Sequence, residues 1–169
     1  MTIAPQSLNA HTAGRDSLRT VLGRFATGVT VLTAGREAPR GMTANSFTSV
    51  SLDPPLVLVC VARTASAHGM ILAEGRFAVS ILSAEQAHLA RHFADHRRAG
   101  GRGEFDTVDT FGGRVTGAPL ISGALAWLEC AVAAVYDGGD HSIVLGSVLD
   151  LSCGAADEPL LYFRGGFRS

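Results

Sequence analysis

Charge is scarce in this sequence, cysteine is sparse, and no apolar run is long enough to cross a bilayer. Each shortage excludes a class of protein. Charged residues make up 17% of the 169, with a formal net charge of −1, so the basic footprint of a nucleic-acid binder is missing. Without a bilayer-length apolar run there is no helical membrane span. The three cysteines, Cys60, Cys130 and Cys153, are odd in number and far apart. They match neither a disulfide framework nor a zinc spacing. Each lies among apolar neighbours, which predicts buried, reduced thiols and a cytoplasmic protein. The opening "MTIAPQSLNAHTAGRD" lacks the basic-then-apolar order of a secretory signal, and residues 1–15 read as a flexible arm.

Familiar motifs are missing as well. No GxGxxG follows a strand and no GxxxxGK[ST] occurs; the G-x-S-x-G elbow of hydrolases is absent too. "GRG" at 101–103 belongs to a glycine-rich loop, not to a strand-to-helix turn. His88, His92 and His96 share one helix face, but no carboxylate or cysteine completes a ligand set, so they read as a solvated or packed face and no metal is expected.

What is present is apolar: 47% of residues are hydrophobic. A single domain over 16–169 can bury a core without staples, and the apolar excess hints at a subunit interface. "DSLRTVLGRFATG" predicts a helix, with Leu18, Val21, Leu22 and Phe25 at i, i+3, i+4, i+7, Asp16 or Ser17 as its cap and Gly28 as its stop. "VTVLTA" (29–34) predicts a strand. "RGMTANSFTSVS" predicts a second, ended by "SLDPP", where proline cannot donate to a ladder. "LVLVCVA" (56–62) is apolar on both faces, hence central or interfacial. A short helix from Ser66 to Gly75, a strand at 76–82 and a helix opened by the Ser83/Gln86 capping box follow. Two long β runs, 124–136 and 141–153, meet at the hairpin signal "DGGD", and "PLLYF" ends the set. About six strands with few long helices argue against a doubly wound parallel sheet. They predict a mainly β protein whose antiparallel strands close into a small barrel with flanking short α-helices.

Four stretches could carry chemistry. In "TANSFTSVS", Thr43, Asn45, Ser46, Ser49 and Ser51 offer neutral donors and acceptors on short side chains. That suits the rim of a flat heteroaromatic ring held between apolar walls; taken alone, the stretch reads first as an edge strand whose hydroxyls meet water. In "CVARTASAHG", Arg63, Ser66 and His68 lead into a helix start, as a phosphate cradle or as an ordinary cap. "DGGDHS" (137–142) places His141 beside glycines, as a tight turn or as a ligand contact. "LYFRGGF" (161–167) brings Tyr162, Phe163 and Arg164 together, with core packing the default for the rings.

Taken together, these segments resemble the flavin reductase family that feeds two-component monooxygenases. "LGRFATGVTVLTA", "GMTANSFTSVSLDPPLVLVCV", "GDH" at 139–141 and "LYFRGGF" carry the resemblance, which runs from about Leu18 to Gly166. It implies an FMN-binding split β-barrel, six-stranded, antiparallel and of Greek-key type, forming a homodimer with FAD or FMN in a groove partly shared between subunits. Thr43, Ala44, Asn45 and Ser46 would line the flavin ring and ribityl chain, continued by Ser49, Val50 and Ser51. Cys60, Ala62, Arg63, Ser66 and His68 would lie along the ribityl-phosphate side. Tyr162 and Arg164 would add cofactor contacts, and Gly139, Asp140 and His141 would meet NADH or NADPH, NADH being favoured. The implied activity is hydride transfer from nicotinamide to flavin, with His141 orienting the nicotinamide or sharing a proton, and reduced flavin passing to a monooxygenase partner. A flavin store without reductase activity, or a carrier of another apolar ligand, are the alternatives. Arg97, Arg98 and Arg102 could meet a 2′-phosphate, and a solvated loop explains them as well.

Overall fold

The computed structural model describes residues 14–95, 97 and 101–168, without the side chains of 101 and 102. Residues 1–13 of the expected arm at 1–15, His96, Arg98 and the Arg102 side chain lie outside the described residues; Arg15 opens the first helix. In chain order the elements are α1 (Arg15–Leu22), β1 (Thr27–Gly28), β2 (Thr30–Ala34), β3 (Arg40–Ala44), β4 (Thr48–Leu52), β5 (Pro55–Ala62), α2 (Ser66–Glu74), β6 (Arg76–Ile81), α3 (Ala87–Ala94), β7 (Thr110–Gly112), β8 (Pro119–Ile121), β9 (Ala126–Gly138), β10 (His141–Cys153), β11 (Leu161–Phe163) and β12 (Gly166–Arg168). Short 3₁₀ turns cover Ala84–Gln86 and Gly101–Glu104.

Seven strands, not six, form the main antiparallel sheet, in the order β3-β2-β6-β9-β10-β5-β4. Its two outermost strands are consecutive in the chain, joined through Asn45, Ser46 and Phe47. So short a link cannot cross an open seven-stranded sheet, at roughly 4.8 Å per strand. The sheet therefore curls until its ends meet. Ser46 holds the seam: its hydroxyl donates to the Cys60 carbonyl and accepts the Cys60 N–H, both at 3.0 Å. A small second sheet, β1-β11-β12, and the β7-β8 hairpin complete the β structure.

Inside the barrel Leu32, Val57, Val59, Val61, Phe77, Val79 and Val144 pack with Ile71 of α2. A second cluster joins Val29, Val31, Leu82, Ile121 and Leu160 to Ala90 and Phe93 of α3. On β5 the alternation is regular: Val57, Val59 and Val61 are buried, while Leu56, Leu58, Cys60 and Ala62 are half-buried on the opposite face. α2 ends on Gly75 in the left-handed region, φ 61°, which glycine adopts without a steric cost. The Ser83/Gln86 capping box forms as its spacing predicts.

Several sequence expectations need correction. The first helix is capped by Gly14 and closes at Gly23; Gly28 pairs in β1 with Leu161. Four of its apolar residues and neighbours are exposed: Leu18, Val21, Leu22 and Phe25. Periodicity detects amphipathicity but not whether a partner surface is present. The single strand expected through 40–51 is two, because the chain leaves β3 for the opposite edge of the sheet. Of the cysteines only Cys130 is buried; Cys60 is half-buried and Cys153 exposed at the open end of β10. Burial, and then the Glu129 carboxylate, pushes the Cys130 thiol up to about 12, since a low-dielectric site disfavours the thiolate.

Candidate functional site

A groove of about 750 Å³ opens between the end of α1, β1, the β3–β4 crossover and β11, within the range of small-molecule sites. Leu22, Phe25 and Tyr162 give it apolar walls; Thr27, Asn45 and Ser46 give it a neutral polar rim. Antiparallel pairing of Thr27 with Tyr162 sets two of these side by side. Ser46 is fixed by the seam, and Tyr162 by an edge-on contact with Phe167, centroids 5.6 Å apart. The Asn45 carboxamide has no hydrogen-bond partner among the described residues, and Thr27 Oγ1 is buried without one. Unmet polar atoms cost free energy when buried. A wall with a spare amide and a spare hydroxyl suits a flat ligand carrying its own rim of donors and acceptors. An adjoining hollow of about 190 Å³ adds Thr43 and Ala94, with the Thr43 hydroxyl anchored on the Ala90 carbonyl at 2.7 Å.

A second constellation gathers where β5 ends and the β9–β10 hairpin turns. Pairing places His141 opposite Ala62. Arg63 clamps the turn, with Nε donating to the Gly139 carbonyl at 3.1 Å and Nη2 on Asp137 at 2.7 Å. Gly139 occupies the left-handed region, φ 76°, as a two-residue hairpin turn requires. His141 Nδ1 lies 2.7 Å from Asp140 Oδ1, and its side chain is 42% exposed. The hydrogen bond from His141, then its positive charge, holds the Asp140 carboxyl below the usual value of 3.8. Asp137 is likewise lowered, chiefly by the Gly139 N–H and then by Arg63. His68 Nε2 meets the buried Ser142 hydroxyl at 2.9 Å, and Ser66 is the first residue of α2.

The structure thus unites Thr43, Asn45, Ser46 and Tyr162 around the groove, with Arg164 at its mouth beside Gly165. Cys60 is tied to this wall through Ser46. Arg63, Gly139, Asp140 and His141 form the hairpin tip. Ala44 turns its side chain into the core. Ser49, Val50 and Ser51 stand on edge strand β4, outside the groove lining. Leu22, Phe25 and Thr27 line the groove though sequence reading assigned Leu22 and Phe25 to a helix's apolar stripe. The signal was the short run "FATG", which carries the chain from the closed helix straight into β1. His92 Nε2 contacts the Glu104 carbonyl at 2.8 Å and His88 Nδ1 the Glu85 carbonyl. No metal-binding cluster occurs among the described residues. Arg97 pairs with Asp95.

A family model described as "Flavin reductase like domain" matches residues 22–169. An NADH-dependent FAD reductase of Streptomyces globisporus is 54% identical over 166 residues, covering 98% of this chain and 91% of that protein. The crystal structure of a flavin reductase component of a bacterial two-component tryptophan halogenase is 50% identical, with TM-score 0.88, over 92% of this chain and 97% of that one. The S. globisporus NADH:FAD oxidoreductase in complex with NAD and FAD fragments superposes with TM-score 0.89 at 51% identity, covering 98% and 96%.

Proposed function

The chain belongs to the flavin reductase-like family, and from that premise we propose that it is an NADH-dependent flavin reductase that takes FAD or FMN and supplies reduced flavin to a monooxygenase component. The observation that carries this reading is the groove itself: apolar walls from Phe25, Leu22 and Tyr162, and a neutral rim with the Asn45 carboxamide uncommitted. A bound flavin supplies the redox chemistry, accepting at N5 a hydride from the nicotinamide. The protein's part is to hold two rings in reacting geometry. Thr43, Asn45 and Ser46 face the ring, and the Ser46–Cys60 seam keeps that wall in place. Asp140 retains the proton on His141 Nδ1, which leaves Nε2 to orient the nicotinamide. Arg63 keeps the hairpin from splaying.

Homodimerisation is part of the same proposal. Val50, Leu52, Val135, Tyr136, Leu149 and Leu151 are large apolar side chains left exposed on β4, β9 and β10, beside the half-buried outer face of β5. Bared apolar surface on this scale is the mark of an interface. Ser49, Val50 and Ser51 then belong to the interface side of the groove. Free thiols suit a reducing compartment, and we place the protein in the cytoplasm.

The test is direct. Purified protein is mixed with NADH and FAD or FMN, and loss of nicotinamide absorbance is followed, with NADPH as a second arm. Flavin-dependent oxidation of NADH is expected. Flavin bound without any nicotinamide turnover would make the protein a store or shuttle instead.

A further inference from the structure

Among the described residues, a single buried side-chain oxygen or nitrogen has no hydrogen-bond partner: Thr27 Oγ1, of a residue in the wall of the groove. Resting on the flavin-reductase reading, we propose that Thr27 is a ligand-binding residue whose hydroxyl is completed by an amide group of the redox ring seated there, either the pyrimidine edge of the flavin or the carboxamide of the nicotinamide.

Three observations support this role. First, other threonines of the interior are satisfied within the fold. Thr30 and Thr33 are buried, and their hydroxyls donate to the Ala44 carbonyl at 2.9 Å and the Pro119 carbonyl at 2.6 Å. Thr43, in the adjoining hollow, donates to the Ala90 carbonyl at 2.7 Å. A hydroxyl kept from water without a partner destabilises the empty protein, and such atoms are rare enough in folded proteins to call for a cause. Second, the backbone pins the residue. Thr27 belongs to the two-residue strand β1 and pairs with Tyr162, whose ring is held edge-on by Phe167. Two residues on, Val29 is buried and its carbonyl accepts the Leu82 N–H at 3.0 Å. The Thr27 side chain is left with little freedom besides its χ1 angle. Third, Thr27 as a whole is only half-buried and shares the groove with Asn45, whose carboxamide is also uncommitted among the described residues. No bond holds the Thr27 hydroxyl in its present rotamer, so turning it onto a ring in the groove breaks none. Valine has nearly the same shape, suits a strand as well and leaves nothing unpaired. A fold that needed only to fill this place gains nothing from the hydroxyl.

Thr27→Val and Thr27→Ser are compared with the wild type by thermal melting without flavin, by fluorescence titration with FAD, FMN and riboflavin, and by the KM for NADH. Thr27→Val should melt at or above the wild-type temperature, because it removes the orphaned hydroxyl. It should weaken all three flavins, which share one ring, by roughly 3–10-fold, the size of one neutral hydrogen bond, while Thr27→Ser, which keeps the hydroxyl, stays within about twofold of the wild type. Unchanged flavin affinities with the KM for NADH raised by that factor in Thr27→Val alone also support the role and assign the hydroxyl to the nicotinamide carboxamide. A Thr27→Val protein that melts below the wild type has lost a partner inside the fold and overturns the proposal. Affinities and a KM unchanged in Thr27→Val overturn it too, as do equal losses in Thr27→Val and Thr27→Ser; the flavin reading then stands on the binding and turnover of the wild type. A wild type that binds no flavin overturns that reading and this role with it.

Discussion

His141 sits on a hairpin tip with its Nδ1 atom 2.7 Å from an exposed carboxylate. Because the folded Asp140 carboxyl is lowered from 3.8, the contact is fully present above pH 3.8 and is lost as pH falls through the lower folded value. Nuclear magnetic resonance of the Asp140 carboxyl carbon should therefore follow a titration below 3.8, and His141→Ala should move that titration back toward the ordinary value. His141→Ala should slow flavin reduction by roughly 10–100-fold in stopped flow, the size of a lost orienting contact, while flavin affinity moves little. Equal rates would remove His141 from the reaction. A different residue governs stability. Glu129 is buried, and its carboxylate accepts the N–H groups of Arg114, Val115 and Thr116 and the Thr116 hydroxyl, at 2.6 to 3.0 Å. Glu129→Ala orphans all of these donors and should cost about 2–4 kcal/mol in urea unfolding.

At the scale of elements, the long hairpin organises the barrel. β10 pairs with β9 along nearly its whole length and with β5 over its first half. The register shifts at Leu145/Gly146, and there a Cβ on Gly146 would come 2.6 Å from the Phe77 ring and 3.2 Å from Cys130 Cβ. Both neighbours are fully buried and have nowhere to move, so Gly146→Ala should destabilise by about 1–3 kcal/mol through overpacking. The hairpin itself was legible, since "DGGD" between two apolar runs has few other readings. So were α2, α3 and β6: Gly75 ends α2, and the Ser83/Gln86 capping box opens the turn that leads from β6 into α3. β7, β8 and β12 were not: each has three residues, too few for a period to show. The halves of "RGMTANSFTSVS" lie at opposite ends of the sheet order, and no local pattern reports which strand a segment will pair with.

For the molecule as a whole, closure of the sheet decides which apolar surface is left open. Curling the sheet buries Val57, Val59 and Val61 but leaves the other face of β5 half-buried and most of β4 exposed. Leu52 is 93% exposed, an arrangement costly in water unless a second copy covers it. Sedimentation equilibrium should give twice the 17.6 kDa chain mass, and Leu52→Asp or Leu151→Asp should shift the protein to single chains. A wild type that runs as a monomer at micromolar concentration would exclude this interface.

By itself the sequence determined the β-rich class, the hairpin, the capped helices and the segments from which a site could be built, because periodicity, turn chemistry and capping act over a few residues. Its hydroxyl-rich run was visible, but taken alone it read first as an edge strand meeting water. Only the tertiary structure divided that run into residues with separate tasks: Asn45 and Ser46 at a groove, Ala44 in the core, Ser49 to Ser51 on an open edge. Only it brought Thr27 to Tyr162, across most of the chain. Those decisions depend on which strands lie side by side when the sheet closes, and that is settled by the burial of the whole core at once.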